Sequence, residues 1–217
     1  MSHVVVVIGG GTLSARAVEA ELVDGDPIVV AADSGLDHAV AAGLRPNVLV
    51  GDLDSISAAG QMWAYANGVD IERFPAEKDA TDTELALAAA AERAGDGDVV
   101  LLGGVDGDDD RLDHLLGTLL AMGHPSLGQL QGLRAVLGAT ECVVVHGGHT
   151  AHLTLEAGRT FSLLALHGPA DGVTVTGAKW TLNDATLTGA EARGVSNVAI
   201  DDVSVSCTSG VVTAVIP

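Results

Sequence analysis

The sequence predicts an α/β fold: a doubly wound, mostly parallel sheet domain followed by a small antiparallel β-sandwich domain. Three observations predict it. Continuous apolar runs alternate with alanine-rich amphipathic stretches over the first two-thirds of the chain. After about Gly138 the runs become short and β-branched, bounded by Gly, Asp or Asn, and no long helical period appears. Apolar residues make up 47% of 217 residues but aromatics only 2%, so a sizeable core has to be built from Val, Leu, Ile and Ala. A strand covered on both faces reads as an unbroken apolar run, and such strands separated by helices pair in parallel.

The elements follow in order. Residues 4–8 read as a buried strand ending in Gly9-Gly10-Gly11, and 13–22 as a helix. Residues 28–32 and 36–42 form a second strand and helix. Residues 48–50 are a third strand, followed by a helix near 58–66. Residues 70–74 are a weaker, more polar strand. Residues 82–93 are a strong helix, with alanine and leucine throughout. Residues 99–102 and 112–122 complete the series as strand and helix. The second half offers strands at 142–145, 152–155, 160–166, 172–176, 185–187, 203–207 and 211–216. The change of pattern divides the chain into an α/β domain at 1–137 and a β domain at 138–217.

Charge narrows the function. Ten basic residues face 29 acidic ones, a net charge of −19. A protein that grips nucleic-acid phosphates needs the opposite balance, so nucleic acid is excluded as a partner. No apolar run is long enough to span a bilayer. Residues 4–8 are too short for a signal peptide and no basic region precedes them, so a cytoplasmic protein is expected. The two cysteines, Cys142 and Cys207, give no disulfide framework and read as buried thiols.

Most of these acids belong to a solvated surface, but several fall where ligands bind. Open α/β sheets bind at the carboxyl ends of their strands. Asp33 follows the second strand, Asp52 and Asp54 the third, and Asp79 and Asp82 precede the strong helix. Asp106 to Asp113 follow the strand at 99–102. Carboxylates are hard ligands suited to Mg²⁺, which uses one or two of them plus substrate phosphates. This predicts a metal-dependent enzyme acting on a nucleoside triphosphate. In Asp52-Leu53-Asp54 the carboxylates at i and i+2 can converge on one ion at a strand exit. The same residues also suit a turn, with Ser55 or Ser57 capping the next helix. Thr81-Asp82-Thr83-Glu84 resembles a capping box, which is compatible with an anion site at the helix N-terminus.

Weaker signals stand beside these. Gly9-Gly10-Gly11 with Ser14 half-matches a dinucleotide fingerprint, with Asp33 as ribose partner; a tight turn is the other reading. The nicotinamide reading leaves Asp52, Asp54, Asp79 and Asp82 unexplained. The run Asp106-Gly107-Asp108-Asp109-Asp110 is not an EF-hand: its sixth position is Arg111 and its twelfth Gly117, where Gly and Glu are required. Arg111 suits bidentate phosphate binding. His114 reads as structural. Trp180 is either a core or interface aromatic, or a face for a cationic ligand.

Across nearly the whole chain these residues resemble the thiamine pyrophosphokinase (thiamine diphosphokinase) family. The resemblance is carried in order by Ala32-Asp33-Ser34-Gly35, by Gly51-Asp52-Leu53-Asp54-Ser55 and by Lys78-Asp79-Ala80-Thr81-Asp82. It continues through Arg111-Leu112-Asp113-His114, Phe161-Ser162-Leu163-Leu164, Gly177-Ala178-Lys179-Trp180-Thr181-Leu182 and Arg193-Gly194-Val195-Ser196-Asn197. It implies transfer of the pyrophosphoryl group of ATP to the hydroxyl of thiamine, giving thiamine diphosphate and AMP. By resemblance, Asp52, Asp54 and Asp82 hold Mg²⁺, with Asp79 and Thr81 alongside. Asp33 and Gly35 line the nucleotide site, and Arg111 and Asp113 complete the phosphate pocket. Trp180 stacks on a thiamine ring, and Ser196 and Asn197 bond the aminopyrimidine. A homodimer with sites shared between subunits is implied. The chain departs from the family pattern at Ser34, at Thr118 and in the longer acidic segment 105–110. The alternatives are a pyrophosphokinase for another hydroxymethyl heterocycle, and a non-catalytic thiamine or nucleotide sensor.

Overall fold

The computed structural model describes residues 2–23, 25–103 and 112–217. Five parallel strands form the first half: β1 (His3–Val7), β2 (Ile28–Ala32), β3 (Val48–Gly51), β4 (Asp70–Arg73) and β5 (Asp98–Leu102). Five helices follow them in alternation: α1 (Ala15–Glu21), α2 (Gly35–Ala41), α3 (Ala58–Asn67), α4 (Asp82–Ala94) and α5 (Leu112–Met122). Val4 and Val6 pack with Ala86, Leu87 and Ala90 of α4 on one face. Val5 and Val7 pack with Val18 of α1 and Ala39 of α2 on the other. The unbroken valine run is thus explained by helices on both faces. α3 closes the second face through Ala64, which meets Leu36 and Leu49.

One strand lies where no element was expected. β6 (Gly132–Leu137) pairs in parallel with β5, after a short 3-10 turn at Pro125–Leu127. Its residues alternate between half-buried and buried, so it lacks the continuous apolar signature of its neighbours. The remaining strands are β7 (Thr140–His146), β8 (Thr150–Leu153), β9 (Thr160–Leu164), β10 (Ala170–Ala178), β11 (Leu182–Leu187), β12 (Asn197–Ser206) and β13 (Val211–Ile216). All their mutual pairings are antiparallel. The sheet runs continuously in the order β11-β10-β12-β9-β13-β7-β6-β5-β1-β2-β3-β4. β12 pairs with β8 and β10 along most of its length and reaches β9 only through Asn197 and Val198. Val173, Val203 and Val205 therefore face Phe161, Leu163 and Val212 across one core. This is the β-rich part, packed as two layers.

The division after residue 137 falls in the β6–β7 hairpin, where Gly138 takes a φ of 63° and Leu137 opposes Thr140. The core does not stop there. Cys142 and Val144 of β7 join Leu133, Ala135 and the α4 residues in one cluster.

Both cysteines lie inside this packing. Cys142 is 2% exposed, and burial, helped by Glu141, pushes its thiol up to about 11. Burial also raises the Cys207 thiol. Because the thiolate is the reactive form, neither should react in the native chain at pH 8. A colorimetric thiol assay should find none within minutes and both after denaturation. Native labelling of Cys142 at the rate of free cysteine would contradict this packing.

Candidate active site

The carboxyl edge of the parallel sheet collects three acids from three elements. Asp33 follows β2, Asp52 follows β3, and Asp82 is the first residue of α4. Asp33 takes a left-handed backbone, φ 48°, and its N–H donates to the Val50 carbonyl at 2.9 Å, tying it to the end of β3. α4 crosses the sheet from β4 to β5, passing over β3, β2 and β1, which brings its N-terminus above the β2 and β3 exits. Thr81 fixes that N-terminus. Its hydroxyl accepts from Glu84 N–H at 3.2 Å, while its own N–H donates to Glu84 Oε2 at 2.7 Å, a complete capping box.

Gly51 makes the close approach possible. Its φ is 145°, and a Cβ there would lie 3.1 Å from Asp82 Oδ1 and 3.3 Å from Asp33 Cβ. Only glycine fits both the backbone and the space.

One oxygen of each carboxylate lies within 4.8 Å of the others. Asp33 is 7% exposed, and its Oδ2 accepts from Ser55 N–H at 3.3 Å and from the Ser55 hydroxyl at 2.5 Å. Its Oδ1 is buried without a hydrogen-bond partner. Lys78 Nζ lies 3.4 Å from Asp52 Oδ2 and 3.1 Å from Asp82 Oδ1, although the latter contact is not aligned as a hydrogen bond. Burial raises the Asp33 carboxyl above its usual range, against the Ser55 bonds, and repulsion from Asp82 and Asp52 adds to it. Asp52 is held below the usual range, first by the Asp54 N–H at 3.1 Å and also by Lys78. Burial works against the Lys78 charge, but its pairs with Asp82 and Asp52 outweigh that and raise its pKa.

Three carboxylates and one ammonium leave a surplus of negative charge at a largely buried spot. The unpartnered Asp33 oxygen and the all-oxygen donor set fit a hard divalent cation such as Mg²⁺. The structure thus joins Asp33 to Asp52 and Asp82. Asp54 and Asp79 are exposed and lie outside this group. Leu53, at φ 69°, turns the chain between Asp52 and Asp54. Gly35 starts α2 and is buried, since a Cβ there would run into the Val7 carbonyl. Asp113 is exposed in the first turn of α5. Arg111 and the acids at 106–110 lie outside the described residues.

Two participants escaped sequence reasoning. Ser55 was a candidate cap for α3, but Ser57 takes that role, accepting from Gly60 N–H at 2.9 Å, and leaves Ser55 for Asp33. Lys78 sits four residues before Asp82, a spacing that already offered an ion pair.

A second site lies at the other end of the sheet. Trp180, Ser196 and Asn197 share a cavity of about 610 Å³ with Lys179 and Arg193. Trp180 is 54% exposed, with Lys179 Nζ 4.6 Å from its ring centroid. Asn197 is buried, and its amide is largely spent on the Trp180 backbone. Oδ1 accepts from Trp180 N–H at 3.1 Å and Nδ2 donates to the Trp180 carbonyl at 2.8 Å. Ser196 is exposed at φ 62°, and its N–H donates to the Ser162 hydroxyl at 3.1 Å.

Replacing Gly51 by Ala should cost about 1–3 kcal/mol, because it strains the backbone beside Asp33 and Asp82. Calorimetry should show a lower Tm, and titration a weaker affinity for divalent cations. A Tm within about a degree of the parent would contradict the tight fit.

The family model for the thiamin pyrophosphokinase catalytic domain matches residues 20–131, and that for the thiamin pyrophosphokinase vitamin B1 binding domain matches residues 148–212. No curated protein sequence matches the chain significantly. Among solved structures, thiamine pyrophosphokinase from Bacillus subtilis is similar at 22% identity and a TM-score of 0.78, covering 99% of this chain and 98% of that one. Thiamin pyrophosphokinase from Geobacillus thermodenitrificans is similar at 26% identity and a TM-score of 0.72, with 99% and 96% covered. The Candida albicans enzyme shares 13% identity and a TM-score of 0.76, with 99% and 88% covered. With both domain models matching in order, one on the carboxylate cluster and one on the Trp180 cavity, the chain belongs to the thiamin pyrophosphokinase family.

Proposed function

We propose that the protein transfers the pyrophosphoryl group of ATP to the hydroxyl of thiamine, with Mg²⁺, giving thiamine diphosphate and AMP. The observation that carries this reading is the buried carboxylate group with an unpartnered oxygen, at the sheet edge where α/β proteins bind nucleotides. Residues 1–137 form the nucleotide-binding part and 138–217 the thiamine-binding part.

Asp33, Asp52 and Asp82 hold the cation. Mg²⁺ there supplies positive charge to the phosphate oxygens around the attacked phosphorus. Lys78 pairs with Asp52 and Asp82 and faces the triphosphate with its own charge. Asp54 and Asp79, exposed at the mouth, stand to accept the proton of the thiamine hydroxyl. Arg111 and Asp113 complete the phosphate pocket. Trp180 offers an indole face to the cationic thiazolium, and the Ser196 hydroxyl bonds the aminopyrimidine. Asn197 acts by holding Trp180 in place.

A homodimer with shared sites is part of the proposal. Seven strand-to-strand steps separate β12, at the Trp180 cavity, from β2. The two sites thus sit on strands well separated in the sheet order, and a second copy brings one chain's Trp180 cavity to the other chain's carboxylate cluster. α5 also exposes Leu112, Leu116 and Leu120 at 65%, 50% and 55%, one leucine stripe that a second copy would cover. No helix among the described residues is long and apolar enough to cross a membrane, which is compatible with the proposed cytoplasmic setting.

Incubation with ATP, Mg²⁺ and thiamine should yield AMP and thiamine diphosphate in equal amounts, and chelation should stop it. Asp82→Asn should lower kcat by about 10²-fold or more with an unchanged circular dichroism spectrum. No AMP from the parent, or parental kcat in Asp82→Asn, would sink this reading.

A further inference from the structure

The charge of the Trp180 cavity is opposite to what thiamine alone calls for. Among the described residues ten line it, and they include Lys179 and Arg193 but no carboxylate. The chain as a whole has 29 acids against ten bases, so a lining with two bases and no acid inverts the overall balance. Among the described residues neither base forms a salt bridge, whereas Lys78, Arg93 and Arg134 all do. Lys179 instead occupies one face of the Trp180 indole, at 4.6 Å. A thiazolium cation entering this cavity gains an aromatic face but meets two uncompensated positive charges.

We propose that the cavity is shaped for the phosphorylated form: Lys179 and Arg193 receive the diphosphate of thiamine diphosphate, while Trp180 takes the ring. This rests on the reading that Trp180 stacks thiamine. An ammonium and a guanidinium match a diphosphate well, the guanidinium by paired hydrogen bonds. The ligand class is a heteroaromatic cation carrying a phosphoanion. The product then binds this cavity more tightly than the substrate, competes with thiamine, and leaves slowly.

The test uses the full-length chain without divalent metal, so that no cation at Asp33, Asp52 and Asp82 can hold the phosphate groups. Trp63→Phe leaves Trp180 as the sole indole fluorophore, and its quenching reports binding of thiamine, thiamine diphosphate or inorganic pyrophosphate. Calorimetry on the unmodified chain gives the same comparison independently. Thiamine diphosphate should bind roughly tenfold or more tightly than thiamine, with pyrophosphate alone weaker than either. Lys179→Gln and Arg193→Gln should each remove most of that advantage and leave thiamine binding equal or stronger. Equal affinity for the two forms in the parent, or an equal loss for both forms in the variants, would overturn the proposal. If neither form quenches Trp180 or gives heat, the stacking reading fails and takes this proposal with it.

Discussion

A carboxylate oxygen buried without a partner sets the terms for the whole catalytic edge. The Asp33 carboxylate lies beside two further carboxylates, and its burial makes its own negative charge more costly. Left to itself such a cluster would spread apart or take up protons. The surrounding structure prevents the spreading. A left-handed turn and a backbone bond tie Asp33 to β3, Gly51 leaves no side chain in the way, and a capping box locks the α4 N-terminus. Ser55 and Lys78 offset part of the charge and leave the rest for a ligand. The arrangement is unfavourable for folding and useful for chemistry, the usual trade at a functional site.

The same frame holds the second site at a distance. β7 and β13 carry the sheet from the parallel half into the β-rich half, and their side chains feed two cores. The join is shared core packing rather than a linker. In a single chain the carboxylate cluster and the Trp180 cavity lie on strands well separated in the sheet order. The exposed leucines of α5 and the half-exposed Trp180 are the features that the proposed second copy of the chain would complete.

Much of this was legible in the sequence, for reasons that can be named. Valine runs without polar alternation identify strands covered on both faces, and β2, α5 and β13 lie where the pattern puts them. The acids at 33, 52 and 82 fall at strand exits and a helix start, positions set by topology. What escaped depends on contacts distant in sequence. β6 alternates because Arg134 reaches from it to a buried ion pair with Glu21, so its pattern resembles a loop or edge. The partnership of Asp33 with Asp82 needs α4 to cross the sheet, which no local spacing reveals. The i, i+2 spacing of Asp52 and Asp54 suggested convergence, but the turn at Leu53 sends Asp54 outward while its N–H bonds Asp52. Asn197 offered a polar side chain for a ligand, yet the backbone of Trp180 claims most of it.

The central claim is that Asp33, Asp52 and Asp82 together form a divalent-cation site. Crystals grown with Mn²⁺ and a non-hydrolysable ATP analogue would show it directly by anomalous scattering. The account predicts a Mn²⁺ peak within coordination distance of the now unpartnered Asp33 oxygen and of Asp52 and Asp82. A peak held elsewhere, with that Asp33 oxygen still without a partner, would contradict it.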